Sequence, residues 1–172
     1  YPPVHLAINL SPIHLKRPDF LSDLFELFSR HSIAPGRIEF EITEGLLLED
    51  SEWTAGMLTE LRNAGFRLAL DDFGTGFSNL GYLSRFPVDT IKIDRSFISE
   101  IHINERNRSI VRAMISLAEA MGSETVAEGV ELEEEFQALA DLGCHLIQGY
   151  FFSRPLKTED LFNFLQNRSP VP

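Results

Sequence analysis

The chain alternates between two hydrophobic periods. Six short runs carry apolar residues at alternate positions or in brief blocks, the pattern of strands: 4–10 (VHLAINL), 37–43 (RIEFEIT), 66–71 (FRLALD), 90–94 (TIKID), 124–128 (ETVAE) and 145–150 (HLIQGY). Between them apolar residues recur every third or fourth position, the spacing of one helix face. Leu21, Leu24, Phe25 and Phe28 mark such a face in 18–31, and Trp53, Met57, Leu58 and Leu61 mark another in 50–65, behind Asp50 as a cap. Ile110, Val111, Met114, Leu117, Ala118 and Met121 define a third in 104–122; Leu132, Phe136 and Leu139 define a fourth in 131–143, and 158–167 closes the series. Gly65, Gly122 and Gly143 stand where three of these helices must stop, supplying the left-handed residue that ends a helix. Strands and helices alternating at this length predict an α/β fold with a parallel sheet, in one domain.

The strand runs share an ending. Each delivers a polar or ionisable residue near its carboxyl end: Asn9; Glu41, with Glu44 just beyond; Asp71 and Asp72; Lys92 and Asp94; Glu128; and Gln148. Each has a plain structural reading. Asp-Asp opens turns, Asn9 is a turn former, and Gln148 suits a satisfied core amide. Glu39 and Glu41 suit the wetted face of an edge strand opposite Ile38, Phe40 and Ile42. Six strands ending alike point instead to the mouth of a β/α barrel, where catalytic groups converge from the carboxyl ends of several strands.

Charge narrows the chemistry. The 172 residues hold 15 basic and 26 acidic side chains, a net charge of −11, which argues against nucleic-acid polymers and anionic membrane surfaces. A small anionic ligand stays open, because bound cations invert the local sign. The single cysteine, Cys144, lies in an apolar run and reads as a buried thiol, so the expected compartment is reducing.

Glu41, Asp71, Asp72 and Glu128 cannot share one dry mouth uncompensated, since two unit charges ~5 Å apart at an effective dielectric of ~20 repel by roughly 3 kcal/mol. Either carboxyls take up protons or cations move in. Oxygen donors without a nearby His or Cys favour hard ions, Mg²⁺ or Mn²⁺, over zinc. Adjacent aspartates allow one carboxylate to bridge two ions while its neighbour holds the second, the arrangement for in-line displacement at phosphorus. Lys92 inside this ring would position the water or stabilise the charged phosphorane. The residues therefore lead to a metal-dependent phosphate-ester hydrolase, with no substrate named.

The motifs NLS (9–11), EITE (41–44), DDFGTGFSNL (71–80), KIDRSFI (92–98), AEGVE (127–131) and QGYFFSRP (148–155) resemble the EAL-domain family of cyclic-di-GMP phosphodiesterases, in that family's order and over essentially the whole chain. The resemblance implies a modified TIM-type β/α barrel and hydrolysis of cyclic-di-GMP to linear pGpG with two Mg²⁺ or Mn²⁺ ions. It assigns the first metal to Asn9, Glu41 and Asp71, and the second to Asp71, Asp72 and Glu128. Glu128 is also the implied general base, Lys92 orients the water, and Glu44 braces the loop that follows Asp72. Gln148 and Asp94 are the implied substrate contacts. The family also implies a homodimer formed beside that loop, where Phe77, Leu80, Tyr82, Leu83 and Phe86 cluster, and fusion in the parent protein to sensory or GGDEF domains.

Phe77 and Asn79 stand where the family more often has Tyr and Ser. The larger departure is the absence of the family's Glu-x-Leu-x-Arg signature. Six strands also stand where a closed barrel has eight, and barrels usually run to about 250 residues. The expectation is that 1–172 is the carboxyl-terminal portion of one EAL domain, an incomplete barrel of about six βα units with its first strands missing. Such a piece would turn over weakly or not at all, and its edge at 4–10 would tend to pair. A cytoplasmic setting is expected, any membrane anchor of the parent lying outside these residues. The competing reading is a non-catalytic module that senses cyclic-di-GMP or contacts a partner protein.

Overall fold

The fold is taken from a computed structural model that describes residues 4–48, 52–76, 86 and 88–167. The expected cap Asp50, and Phe77, Leu80, Tyr82 and Leu83 of the expected dimer cluster, lie outside the described residues.

Six strands pair in chain order and all run parallel: β1 Leu6–Asn9, β2 Ile38–Thr43, β3 Arg67–Phe73, β4 Thr90–Ile93, β5 Glu124–Ala127 and β6 Leu146–Ile147. Parallel neighbours need a crossover, and helices supply it between every pair but β3 and β4, where most of the link lies outside the described residues. Among the described residues the α-helices are α1 Pro12–Leu15, α2 Phe20–Arg30, α3 Glu44–Leu48, α4 Glu52–Asn63, α5 Arg95–Ile98, α6 Glu105–Met121, α7 Glu133–Asp141 and α8 Thr158–Asn167. The result is a half-barrel of the TIM type.

The pleat sorts the strands into two faces. Ile38, Phe40, Ile42, Leu68, Leu70, Ile91, Ile93 and Ala127 pack with Met57, Leu58 and Leu61 of α4, Val111 and Ile115 of α6, and Leu139 of α7 in one buried core. Phe66 anchors its lower end, edge-on to Phe28 at 5.0 Å and tilted against Phe40 at 5.2 Å. The outward face of β1 is thinly covered: Leu6 is 56% and Ile8 36% exposed, on a strand that pairs only with β2 among the described residues. Phe86, the described member of the expected dimer cluster, is buried in the core.

Gly65, Gly122 and Gly143 take φ of 95°, 73° and 86°, the left-handed stops that the three preceding helices require. Every strand is shifted from its expected run by a residue or more at one end or both, and two of the shifts bear on the site. β6 holds Leu146 and Ile147 alone, because the chain turns at Gly149, where any side chain would run into the backbone of Val130. β3 does not end at Asp71 but continues to Phe73. The short helices α1, α3 and α5 carry too few turns to show a period, so the pattern does not reveal them. α1 rests on local devices, Pro12 in its first turn and Ser11 accepting a hydrogen bond from Ile13 N at 3.3 Å.

Candidate active site

The continuation of β3 explains why two aspartates sit side by side. Leu70 pairs with Ile91 and Phe73 with Ile93, so Asp71 and Asp72 together oppose the single residue Lys92. This is a β-bulge, which re-aims side chains at a strand end. Asp72 takes the extra step at φ 54°, a left-handed conformation that a short polar side chain tolerates. The regular pleat would send neighbouring residues to opposite faces; the bulge keeps both carboxylates at one mouth.

On that face Lys92 meets three carboxylates from three strands. Its Nζ lies 2.5 Å from Glu41 Oε1, 2.7 Å from Glu128 Oε1 and 2.8 Å from Asp71 Oδ1, with the lysine side chain 7% exposed. Burial alone would lower the ammonium's pKa, but hydrogen bonds to Asp71, Glu128 and Glu41 outweigh it and hold the pKa above its ordinary value. Lys92 is thus a fixed cation rather than a proton donor at neutral pH. One positive charge faces three negative ones, and Asp72 adds a fourth. Burial, and then the charges of Asp71 and Asp94, push the Asp72 carboxyl up. Burial pushes Glu128 up too, against the pull of Lys92. Oxygens of Asp71, Asp72 and Glu128 all lie within 4.8 Å of one another. That donor set is all oxygen and in charge excess, and it fits hard divalent cations.

The remaining expected residues surround this cluster. Asn9 ends β1 in register with Glu41 and is exposed. Glu44 opens α3, and its Oε1 accepts the N–H of Gly74 at 3.0 Å, tying the segment after the bulge to β2. Gly74, at φ 95°, has no room for a side chain against Met114 and Phe97. Asp94 caps α5, accepting Ser96 N at 3.0 Å. Partial burial would raise its carboxyl, but the hydrogen bonds from Ser96 and Arg95 hold it below the usual range. Gln148 is exposed and lines a cavity of about 480 Å³ with Tyr150, Phe152, Arg154 and Phe164. The Arg154 guanidinium lies 4.7 Å from the centre of the Tyr150 ring, a cation–π contact.

A second polar layer lies below the first and was not foreseen. Arg67 donates to Glu39 at 3.2 Å and to Thr90 at 3.2 Å, and also pairs with Glu124; Thr90 donates to Glu39 at 2.6 Å. Glu39 is therefore no wetted edge residue. Period-two alternation holds the clue, because Glu39, Arg67 and Thr90 sit on the same strand faces as Glu41, Asp71 and Lys92. Also unforeseen is Glu135, a buried carboxylate held by three backbone N–H groups, from Glu100 at 3.1 Å, Glu131 at 3.0 Å and Leu132 at 3.2 Å. Its position three residues after the helix cap is the available signal. Among the described residues, no helix is long and apolar enough to cross a membrane.

Comparison with known proteins identifies the family and the fold. The family model described as EAL domain matches residues 1–155. Cyclic di-GMP phosphodiesterase NbdA of Pseudomonas aeruginosa is 37% identical over 163 residues, 95% of this chain and 21% of that protein. The crystal structure of the EAL domain of Mycobacterium smegmatis DcpA superposes with a TM-score of 0.90 at 40% identity, over 96% of this chain and 75% of that one. A manganese and cyclic-di-GMP complex of Klebsiella pneumoniae BlrP1 gives 0.83 at 37% identity, over 90% of this chain and 40% of that one. The chain spans between 20% and 28% of the length of the curated relatives it matches.

Proposed function

The chain belongs to the EAL domain family, and on that premise we propose that it forms the active-site half of a phosphodiesterase that hydrolyses cyclic-di-GMP to linear pGpG. The observation that carries this reading is the Lys92 ammonium shared by Glu41, Asp71 and Glu128, with Asp72 brought to the same mouth by the bulge. Relatives named as cyclic di-GMP phosphodiesterases support the substrate. Manganese in the BlrP1 complex supports a divalent cofactor.

Asn9, Glu41 and Asp71 would hold one Mg²⁺ or Mn²⁺, and Asp71, Asp72 and Glu128 the other. When bound, such ions supply a water of lowered pKa and neutralise charge developing at phosphorus. The chain's own residues do the rest. Glu128, with its carboxyl pushed up by burial, is suited to accept a proton from the attacking water. Lys92 Nζ, fixed as a cation, orients that water through its hydrogen bonds to Asp71 and Glu128. Glu44 holds the segment after the bulge through Gly74 N, while Gln148 and Asp94 face the substrate. Residues 1–172 serve as the carboxyl-terminal portion of a single EAL domain. We assign the intact protein to the cytoplasm, as a homodimer fused to sensory or GGDEF domains; a relative named as a bifunctional cyclase and phosphodiesterase supports the fusion.

The test is turnover by the intact protein. Cyclic-di-GMP incubated with Mn²⁺ should yield pGpG on chromatography, and Asp72→Asn should lose nearly all of it. Binding without pGpG would favour the sensing reading instead.

A further inference from the structure

Two of the residues proposed to act at the mouth, Lys92 on β4 and Glu128 directly after β5, meet at their tips at 2.7 Å. The exits of these two strands are stitched together beyond that contact. Glu128 N donates to Ile93 O at 3.1 Å. Arg95, which opens α5, pairs with Glu131 at 2.9 Å. Gly129, at φ 70°, lets the turn between them lie against Arg95, whose Cγ a side chain there would meet at 2.5 Å. The deepest stitch is Glu135.

Glu135 lies on the first turn of α7, is 4% exposed, and has no ion-pair partner among the described residues. Its two oxygens point in different directions. Oε2 gathers the N–H groups of Glu131 and Leu132, the end of the segment that leaves β5. Oε1 reaches across to the N–H of Glu100, in the link that follows α5 and so belongs to the exit of β4. Glu100 itself sits at φ 60°, in a conformation that costs a non-glycine residue energy and persists only where its surroundings hold it. A buried charge costs free energy unless hydrogen bonds satisfy it, and here three backbone donors do so. If capping α7 were its whole role, Oε2 would suffice; Oε1 is spent on the other strand's exit.

We propose that Glu135 is a positioning residue, a carboxylate clamp that sets Glu128, just past β5, against Lys92 of β4. The proposal rests on the function assigned above to those two residues. Its consequence is that removing Glu135 lets the two exits move independently, so Glu128 leaves the cation site while the sheet stays folded.

The experiment compares three variants of the intact protein. Glu135→Ala removes all three hydrogen bonds. Glu135→Gln keeps the shape and retains the pair on one oxygen. Leu61→Ala, in the fully buried core of α4, provides a loss of stability remote from the site. At a temperature where far-UV circular dichroism shows all of them folded, Mn²⁺ affinity should fall at least about tenfold in Glu135→Ala, less in Glu135→Gln, and by under about twofold in Leu61→Ala. Amide hydrogen exchange, which needs no metal, should show residues 128–132 and 99–104 loosening together in Glu135→Ala. Unchanged Mn²⁺ affinity in folded Glu135→Ala overturns the clamp, and so does an equal loss in Leu61→Ala. If the unaltered protein binds no Mn²⁺, the functional reading fails by itself; exchange then decides the clamp, which is overturned if loosening stops at 131–132 and spares Glu128 and Glu100.

Discussion

The inner face of the half-barrel carries two polar layers that share strands but obey opposite rules. The lower one, Glu39, Arg67, Thr90 and Glu124, sets one guanidinium between two carboxylates and uses the Thr90 hydroxyl to satisfy Glu39. Arginine suits this, because its planar fork donates in several fixed directions at once. The upper layer, only a few residues further along, sets one ammonium against three carboxylates and leaves Asp72 as a fourth. In the lower layer both carboxylates pair with Arg67, the one spare negative charge faces water at the exposed Glu124, and the contacts tie β2 to β5. The upper layer holds an excess of negative charge that a fold built for stability alone would avoid, and divalent cations would complete it. The two layers therefore divide structure from chemistry along the same strands.

The largest effect expected from breaking this division is at Lys92. Lys92→Met removes the cation that the three carboxylates share, and breaking a buried pair in this way costs about 3–5 kcal/mol. Chemical denaturation should show that loss in metal-free protein, with part of it restored by Mn²⁺. Asp72→Asn comes next, with a split outcome. Hydrolysis should drop by at least about 100-fold, given several kcal/mol from metal charge stabilisation. The metal-free fold should be as stable as before or more so, because Asp72 is disfavoured as an anion there. A parallel loss of activity and stability would mean that Asp72 is structural.

Arg67→Met should behave in the reverse sense. It strands Glu39 and Glu124 and should cost about 1–3 kcal/mol, with Mn²⁺ affinity within about twofold of the starting protein. The smallest effect is the dependence on pH. Asp72 and Glu128 have carboxyls raised in the fold, so their protonated forms favour folding. That stability is full below the ordinary carboxylate pKa of about 4 and is lost as pH rises through the raised values. Asp94 is lowered and acts oppositely, its contribution vanishing as pH falls through its folded value. Metal-free protein should therefore melt higher at mildly acidic pH than at neutral pH, and saturating Mn²⁺ should flatten that slope. Melting curves from pH 4 to 8 test it.

The upper layer was legible in the sequence because its residues end apolar strands, where charge is conspicuous. Asp71, Lys92 and Glu128 each follow a run that a core requires. The lower layer was not, because Arg67 and Glu124 open their strands, where a charged residue reads as solvent-facing. Arg67 is only half-buried and Glu124 is exposed; their pairing arises because the sheet brings side chains of different strands over one another, and period-two alternation gives the shared face but not the partner. The bulge was hidden for a similar reason. Asp-Asp reads as a turn, and only the pairing of Phe73 with Ile93 shows that the strand resumes beyond it. Gln148 illustrates a third limit: the apolar run 145–150 suggests a strand, but packing of Gly149 against Val130 stops β6 after two residues.

On the function proposed above, the upper layer binds cations and the lower one does not. Thermal unfolding of the intact protein across a Mn²⁺ series measures it most directly, because an ion that binds only the folded state stabilises it by about 2.7 kcal/mol at a hundred times its dissociation constant. The melting temperature should rise saturably, an effect abolished or greatly weakened in Asp72→Asn and preserved in Arg67→Met on its lower baseline. No rise at millimolar Mn²⁺, or a rise that Asp72→Asn retains in full, would contradict cation binding in the upper layer.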